Sequence, residues 1–232
     1  MNKKPIMKTF RKISHSLMAV VAVTAAGGAF AQSAGTFQVR LGAIHIAPSV
    51  SSGDLTAPSL PGSKIDVESA TQLGGGITYM VTDNIAVDVP LALPFKHKIV
   101  GAGAVGGAGE LGHTKSLPIS VFGQYRFGAA NAKFRPYIGG GLTYAKFFKE
   151  TASNTLSSIT GGSPSVPTSI SIQSKLAPTV IIGMVYSINE RWFIEAMIGK
   201  TFIKTTTTLS SGQTIDARLN PTTAALSVGY RF

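Results

Sequence analysis

Cysteine is absent from all 232 residues, so the chain has no disulfide, no thiolate nucleophile and no sulfur ligand for a metal. Charge is scarce as well: Asp, Glu, Lys and Arg make up 13% of the chain, with 10 acids against 21 cations. His45, His97 and His113 are too scattered for a metal motif, and no metal or other cofactor is expected. Long apolar runs are missing too. The longest, Leu17 to Ala25, falls short of the roughly 20 residues a spanning helix needs. No convincing stretch of helical period occurs anywhere. Together these absences exclude a disulfide scaffold, a thiol enzyme and a helical membrane protein.

What is present begins with an export leader. Lys3, Lys4, Lys8, Arg11 and Lys12 open it, the apolar segment follows, and Ala29-Phe30-Ala31 gives a small-x-small cleavage pattern. Residues 1–31 therefore read as a signal peptide that is removed, and 32–232 as a single domain. The leader's five cations account for much of the +11 formal charge and leave the mature chain at +6. Basicity is thus largely targeting, and a nucleic-acid partner loses its main support.

The mature chain is rich in glycine and alternates with period two. In its last stretch, Thr222, Ala224, Leu226, Val228, Tyr230 and Phe232 share one face; Thr223, Ala225, Ser227, Gly229 and Arg231 share the other. That pattern suits a strand with lipid on one side and a barrel interior on the other. Similar alternation begins at Phe37, Leu73, Ile85, Leu117, Pro136, Leu176 and Trp192, which makes eight strands. In the third, Ile85, Val87, Val89, Leu91, Leu93 and Phe95 point outward, and Asp88, Pro90, Pro94 and Lys96 inward.

An even count suits a closed eight-stranded antiparallel transmembrane β-barrel, which has no exposed edge. Short connections at 83–84, 128–133 and 189–190 alternate with long ones at 48–64, 99–113, 149–169 and 205–214. Short turns belong to the periplasm and long loops to the outside of a Gram-negative outer membrane. Phe37, Tyr79, Tyr125, Phe127, Tyr186, Trp192, Tyr230 and Phe232 fall near the short-turn end, and Phe95, Tyr144 and Phe202 near the other. Two aromatic girdles anchor a barrel at two interfaces. A soluble barrel would reverse the pattern and keep its large apolar residues inside.

Four segments carry a resemblance: Y-M-V-T-D-N-I-A-V (79–87), L-P-F-K-H-K-I (93–99), F-R-P-Y-I-G-G-G (134–141) and the final G-Y-R-F. They resemble the OmpW family of small outer-membrane proteins, over almost the whole mature chain. The resemblance implies a barrel with a hydrophobic interior that passes small apolar molecules across the outer membrane. It also implies an alternative, a structural or stress-related barrel that serves as a phage or bacteriocin receptor. The family's mid-lumen constriction is expected to fall on Pro90 and Gly199, neither of them bulky. The terminal Phe232 resembles the signal read by the barrel-assembly machinery.

The interior follows from parity. Met80, Phe122, Tyr137, Ile181, Val185, Phe193, Met197 and Gly199 line the lumen, with Asp88, Gln124, Arg126 and Glu195 among them. An eight-stranded barrel has room for side chains or one small ligand. Asp88 and Glu195 are placed to pair with Arg126 or Arg231, a charged plug at the periplasmic end beneath an apolar lumen. Lys96, His97, Lys98, His113 and Lys115 gather at the outer ends of the third and fourth strands, as a rim for anionic lipopolysaccharide headgroups. Pro94 and Pro118 sit on those adjacent strands, where missing N–H groups weaken the ladder. Pro90, Pro94, Pro118 and Phe122 are therefore expected to line a lateral exit, with bulges or curvature as the plain alternative.

Two motifs carry no chemistry. Gly101-x-Gly103-x-x-Gly106 is not followed by an amphipathic helix, so it reads as loop rather than a dinucleotide site. Ser116 and His97 fall on opposite faces with no carboxylate nearby in sequence, so no enzyme is expected.

Overall fold

The computed structural model describes residues 32–163 and 165–232; the leader read over 1–31 lies outside the described residues. The first strands are β1 (Phe37–Ala47), β2 (Ser51–Ser52), β3 (Ser63–Val67), β4 (Ala70–Met80), β5 (Ile85–Ala92), β6 (Phe95–Gly103) and β7 (Glu110–Arg126). After β8 (Phe134–Ala152) comes a short helix, α1 (Asn154–Ile159). The chain ends with β9 (Ile170–Ile172), β10 (Lys175–Ser187), β11 (Trp192–Thr201), β12 (Lys204–Leu209), β13 (Thr214–Arg218) and β14 (Thr222–Arg231).

Eight strands close a ring. β1 pairs with β4, then β5, β7, β8, β10, β11 and β14 follow in turn, and β14 returns to β1, every pairing antiparallel. Closure satisfies the backbone groups that an open sheet would leave bare, the condition for a sheet in hydrocarbon. Alternation does the rest. Leu41, Leu73, Leu91, Leu142, Leu176 and Leu226 are exposed on the outer wall, while the residues between them turn in. An apolar band of this extent is unworkable in water and is matched to lipid.

The aromatic girdle stands at the short-turn end. Phe37 packs on Tyr79, Tyr125 on Phe127, Trp192 on Tyr230 and Tyr230 on Phe232, with ring centroids 4.7 to 5.1 Å apart. Tyr144 and Phe202 are exposed near the long-loop end. Phe95 is a correction. The alternation places it outward, yet it is fully buried inside, because the strand breaks at Leu93-Pro94 between β5 and β6 and resumes with its faces exchanged. Proline has no N–H for the ladder, so the break falls there. His97 and Ile99 turn inward with Phe95, and Lys96 and Lys98 turn outward.

The long-loop end is built rather than loose. β2, β13, β12 and β9 form a second sheet above the ring, an extension of the barrel strands. Leu111, Leu156, Ile170 and Leu209 pack together under it, joined by Leu55, Ile65 and Ile172. The glycine-rich loop expected at 99–113 is mostly a hairpin, because β6 runs to Gly103 and β7 starts at Glu110.

Candidate functional site

Both ends of the lumen are made from inward positions, but with opposite chemistry. At the short-turn end the side chains are long and polar. Arg40 crosses from β1 to β5 and grips Asp88 with two bonds, Nη1 to Oδ1 at 2.6 Å and Nη2 to Oδ2 at 2.9 Å. Thr78 donates to the same carboxylate at 2.6 Å. Gly76 makes the crossing possible: it faces both Arg40 and Pro90 in the ladders, and a Cβ there would sit 2.8 Å from Arg40 Nη2. Glu195 accepts from the Tyr137 hydroxyl at 2.7 Å and lies 3.8 Å from Arg40 Nε.

The partner of both acids is therefore Arg40, which corrects the pairing with Arg126 or Arg231. Arg126 instead donates to the amide oxygens of Gln32, Gln38 and Gln124. Arg231 lies over the Phe193 ring at 4.6 Å and donates to Ser187 Oγ. The physical reason is height. Strands are staggered in a tilted barrel, so parity tells which side chains turn in but not which of them share a level. Arg135, not singled out by parity, is fully buried and donates to the carbonyl oxygens of Gln32, Asp83, Arg126, Phe127 and Gly128. It ties three strand ends into a floor. Its signal is the F-R-P-Y segment, where Arg135 stands at inward parity.

Interleaved with these polar groups is an apolar cluster of Phe122, Tyr137, Ile181, Val185 and Phe193, with Met197 packed against it; Phe122 faces Asp88, Tyr137 faces Arg126 and Val185 faces Glu195 across the ladders. All six are residues that parity places in the lumen. Met80, also fully buried, belongs to the floor. Two glycines admit the rings: a Cβ on Gly183 would overlap Tyr137, and one on Gly229 would overlap Phe193.

Above the cluster the lumen opens. A cavity of about 60 Å³ lies at mid-height, between Ile44, Pro90, Phe95, Pro118, Ile181 and Gly199 among others. The expected constriction positions, Pro90 and Gly199, thus border empty space. A second cavity of about 90 Å³ sits higher and shares Ile46, Pro118, Thr143, Thr201 and Thr223 with the first. A third, of about 200 Å³, lies within the loop cap and shares Ile65, Ile99 and Thr207 with the second. Leu60 and Ile159, on its lining, are exposed at the outermost tips. Walls of mainly apolar surface, with serine and threonine hydroxyls set among them, run from the tips to the cluster.

The ring has a flaw at the height of the lowest of the three cavities. β5 pairs with β7 only up to Asp88↔Phe122, and β6 takes up the pairing with β7 at Phe95↔Ser116. Residues 89–94 and 117–121 face each other with no ladder between them. Pro90 and Pro118 both border the adjoining cavity, and so does Leu91, whose side chain is exposed on the outer wall. Pro94 lies in the break between β5 and β6, and Phe122 closes the lower end of the gap.

The cationic rim is only partly as expected. Lys96 and Lys98 are exposed outside, Lys115 stands directly across from Lys96, and half-buried His113 lies 3.5 Å from Glu110. His97 is corrected: it faces in, buried, and its Nδ1–H donates to the Glu68 carbonyl at 2.8 Å. That brings it onto the wall shared with Ser116, but its ring is held by a backbone carbonyl rather than by a serine. Among the described residues, no three His, Asp or Glu side chains converge as metal ligands.

The sequence model of the OmpW family matches residues 33–232. The chain belongs to the OmpW family. Outer membrane protein W of Vibrio cholerae is 35% identical over 219 residues, which is 93% of this chain and 97% of that one. The crystal structure of the outer membrane protein OprG from Pseudomonas aeruginosa superposes with a TM-score of 0.79 at 28% identity, covering 88% of this chain and 99% of OprG. The dibenzothiophene metabolism operon protein PahQ of Pseudomonas aeruginosa is 25% identical over 181 residues, 77% of this chain and 79% of its own length. This OmpW-family chain is a transmembrane β-barrel of the bacterial outer membrane.

Proposed function

We propose that this OmpW-family barrel takes up small apolar molecules from the cell exterior and releases them sideways into the membrane. The observation that carries the reading is the unpaired stretch between β5 and β7 beside a mainly apolar cavity, above a floor with only about 20 Å³ free. A molecule entering between the apolar tips passes Lys64 at the cap and His97 below it, and meets no acidic side chain until it reaches Asp88 and Glu195 beside Arg40. Passing that floor requires separating buried ion pairs and then entering water. Leaving sideways into hydrocarbon retains about 25 cal/mol for each Å² of apolar surface kept from water. PahQ, by its name, belongs to an operon for dibenzothiophene, an apolar aromatic, and that agrees with such a cargo.

The rest of the molecule fits this reading. Residues 1–31 direct export and are removed, Phe232 presents the terminal aromatic to the assembly machinery, and the long-loop end faces outward. Lys96, Lys98 and Lys115 stand just beyond exposed Leu93. Like charges directly opposite repel, and a lipopolysaccharide phosphate between Lys96 and Lys115 relieves this. The test is the double change Pro94→Val and Pro118→Thr, which restores two ladder donors across the gap. A correctly folded double variant should take up a small alkane more slowly than the native barrel. Native uptake rates in that variant would sink the lateral route.

A further inference from the structure

We propose that the mid-lumen holds a hydrogen-bond donor site for an otherwise apolar molecule with one acceptor atom, such as a carbonyl, ether or aromatic heteroatom. It rests on the uptake reading above and names the class of cargo.

Ser120 on β7, Thr143 on β8, Thr179 on β10 and Thr201 on β11 are all buried and all border the mid-lumen cavity. Ser120 is directly opposite Thr143, and Thr179 directly opposite Thr201, so two cross-strand pairs meet along a diagonal. Their oxygens stand 2.8, 2.8 and 2.9 Å apart in succession. The result is a belt of hydroxyls across four neighbouring strands.

Counting hydrogens gives the consequence. Each of the four hydroxyls carries one hydrogen, and each of the three links uses one. One hydrogen is left over, and where all three links donate in the same direction, the arrangement that polarises the chain most, it stands at Ser120 or at Thr201. The hydroxyl that keeps it also accepts from its neighbour, which polarises it into a better donor. The facing wall is apolar: Ile44 and Phe95 belong to one buried cluster, with Pro90 beside them on the cavity. Water is held poorly there, since a buried water wants about three polar partners. A pure hydrocarbon passes without disturbing the belt, whose internal bonds are already made. A ketone of the same length gains one hydrogen bond and is held by one end. Ser120 lies on the stretch of β7 left unpaired toward β5, so a molecule held at that end already sits beside the gap.

The experiment compares octane with 2-octanone. Replacing the belt as a unit, Ser120→Ala with Thr143→Val, Thr179→Val and Thr201→Val, removes partners together and leaves no orphaned hydroxyl. Octane uptake should persist, and the ratio of 2-octanone to octane uptake should fall about fivefold, the equivalent of one neutral hydrogen bond. A folded variant with an unchanged ratio overturns the donor site while leaving uptake intact. If the native protein admits neither molecule faster than cells lacking it, the uptake reading itself falls. Infrared spectra of carbonyl-labelled 2-octanone with the native barrel in nanodiscs decide the matter even if the variant does not fold. A carbonyl band below its position in protein-free nanodiscs supports the site, and an unmoved band overturns it.

Discussion

The floor and the upper lumen are built from the same inward row of the same strands, yet one leaves only about 20 Å³ beside Arg40 and Glu195 and the other stays open. At the floor, inward residues are Arg40, Asp88, Gln124, Arg126, Arg135 and Glu195, long enough to meet in the middle. Higher up they are Thr143, Thr179, Gly199, Thr201 and Pro118, which stay near the wall. The lesson is that in so narrow a ring side-chain length decides whether there is a cavity, and polarity decides what the cavity tolerates. Long polar chains also need each other, because a buried charge is stable only when paired or well supplied with hydrogen bonds. Short hydroxyls satisfy one another along the wall and leave the centre free.

The sharpest way to break the comparison is to empty the floor of its central cation. Arg40→Met leaves Asp88 and Glu195 buried without the guanidinium between them. The expected loss is about 3–5 kcal/mol, typical of a buried pair broken on one side. Urea unfolding of the barrel in lipid, or its heat-modifiability on gels, measures it. Stability equal to the native protein would show that the floor is held by packing alone. Asp88→Asn tests the same pair from the other partner and should lose less, since the amide still accepts from Arg40 and Thr78.

How much of this was legible before the structure is clearest at two residues. Parity is local, so it correctly groups Phe122, Tyr137, Ile181, Val185, Phe193 and Met197, which do form one cluster. It fails at Phe95, because a break at Leu93-Pro94 exchanges the faces of everything after it until the turn. Proline marks where such a break is possible without saying whether it occurs. Arg40 shows the other limit. Its inward parity is plain, but its pairing with Asp88 depends on the stagger of three strands and on Gly76 leaving the way open. The strand count and the aromatic girdle are local properties; the identity of the ion pair is not.

The second prediction works from the other side and fills the upper lumen. A Cβ on Gly199 would lie 3.2 Å from Ile181 Cγ2 and 3.5 Å from Met197, side-chain neighbours that give by a few tenths of an ångström. Gly199→Leu therefore projects into the mid-lumen cavity of about 60 Å³ with little strain on the ring. Alkane uptake should drop to near the level of cells lacking the protein, with unfolding unchanged. Full uptake in a folded Gly199→Leu barrel would mean that cargo does not use this cavity.

The smallest effect belongs to the loop cap, where charge meets water instead of burial. Lys204 Nζ stands 2.8 Å from Asp216 Oδ2 on the β12–β13 hairpin, and Thr206 donates to the other oxygen at 2.7 Å. The lysine bond first, and then the threonine bond, hold the Asp216 carboxyl below its ordinary value of 3.8. A depressed folded value means that the unfolded hairpin binds the proton more readily. The contribution is thus fully present above that ordinary value and is lost as pH falls through the lower folded one. Both partners are exposed, so solvent and salt screen the pair and the effect is slight. Amide exchange at Gly212, whose N–H donates to the Leu209 carbonyl in the hairpin turn, reports it. Protection there should weaken only below about pH 4, the free carboxyl range, and Asp216→Asn should flatten the dependence. Unchanged dependence in Asp216→Asn would assign the acid response to another group.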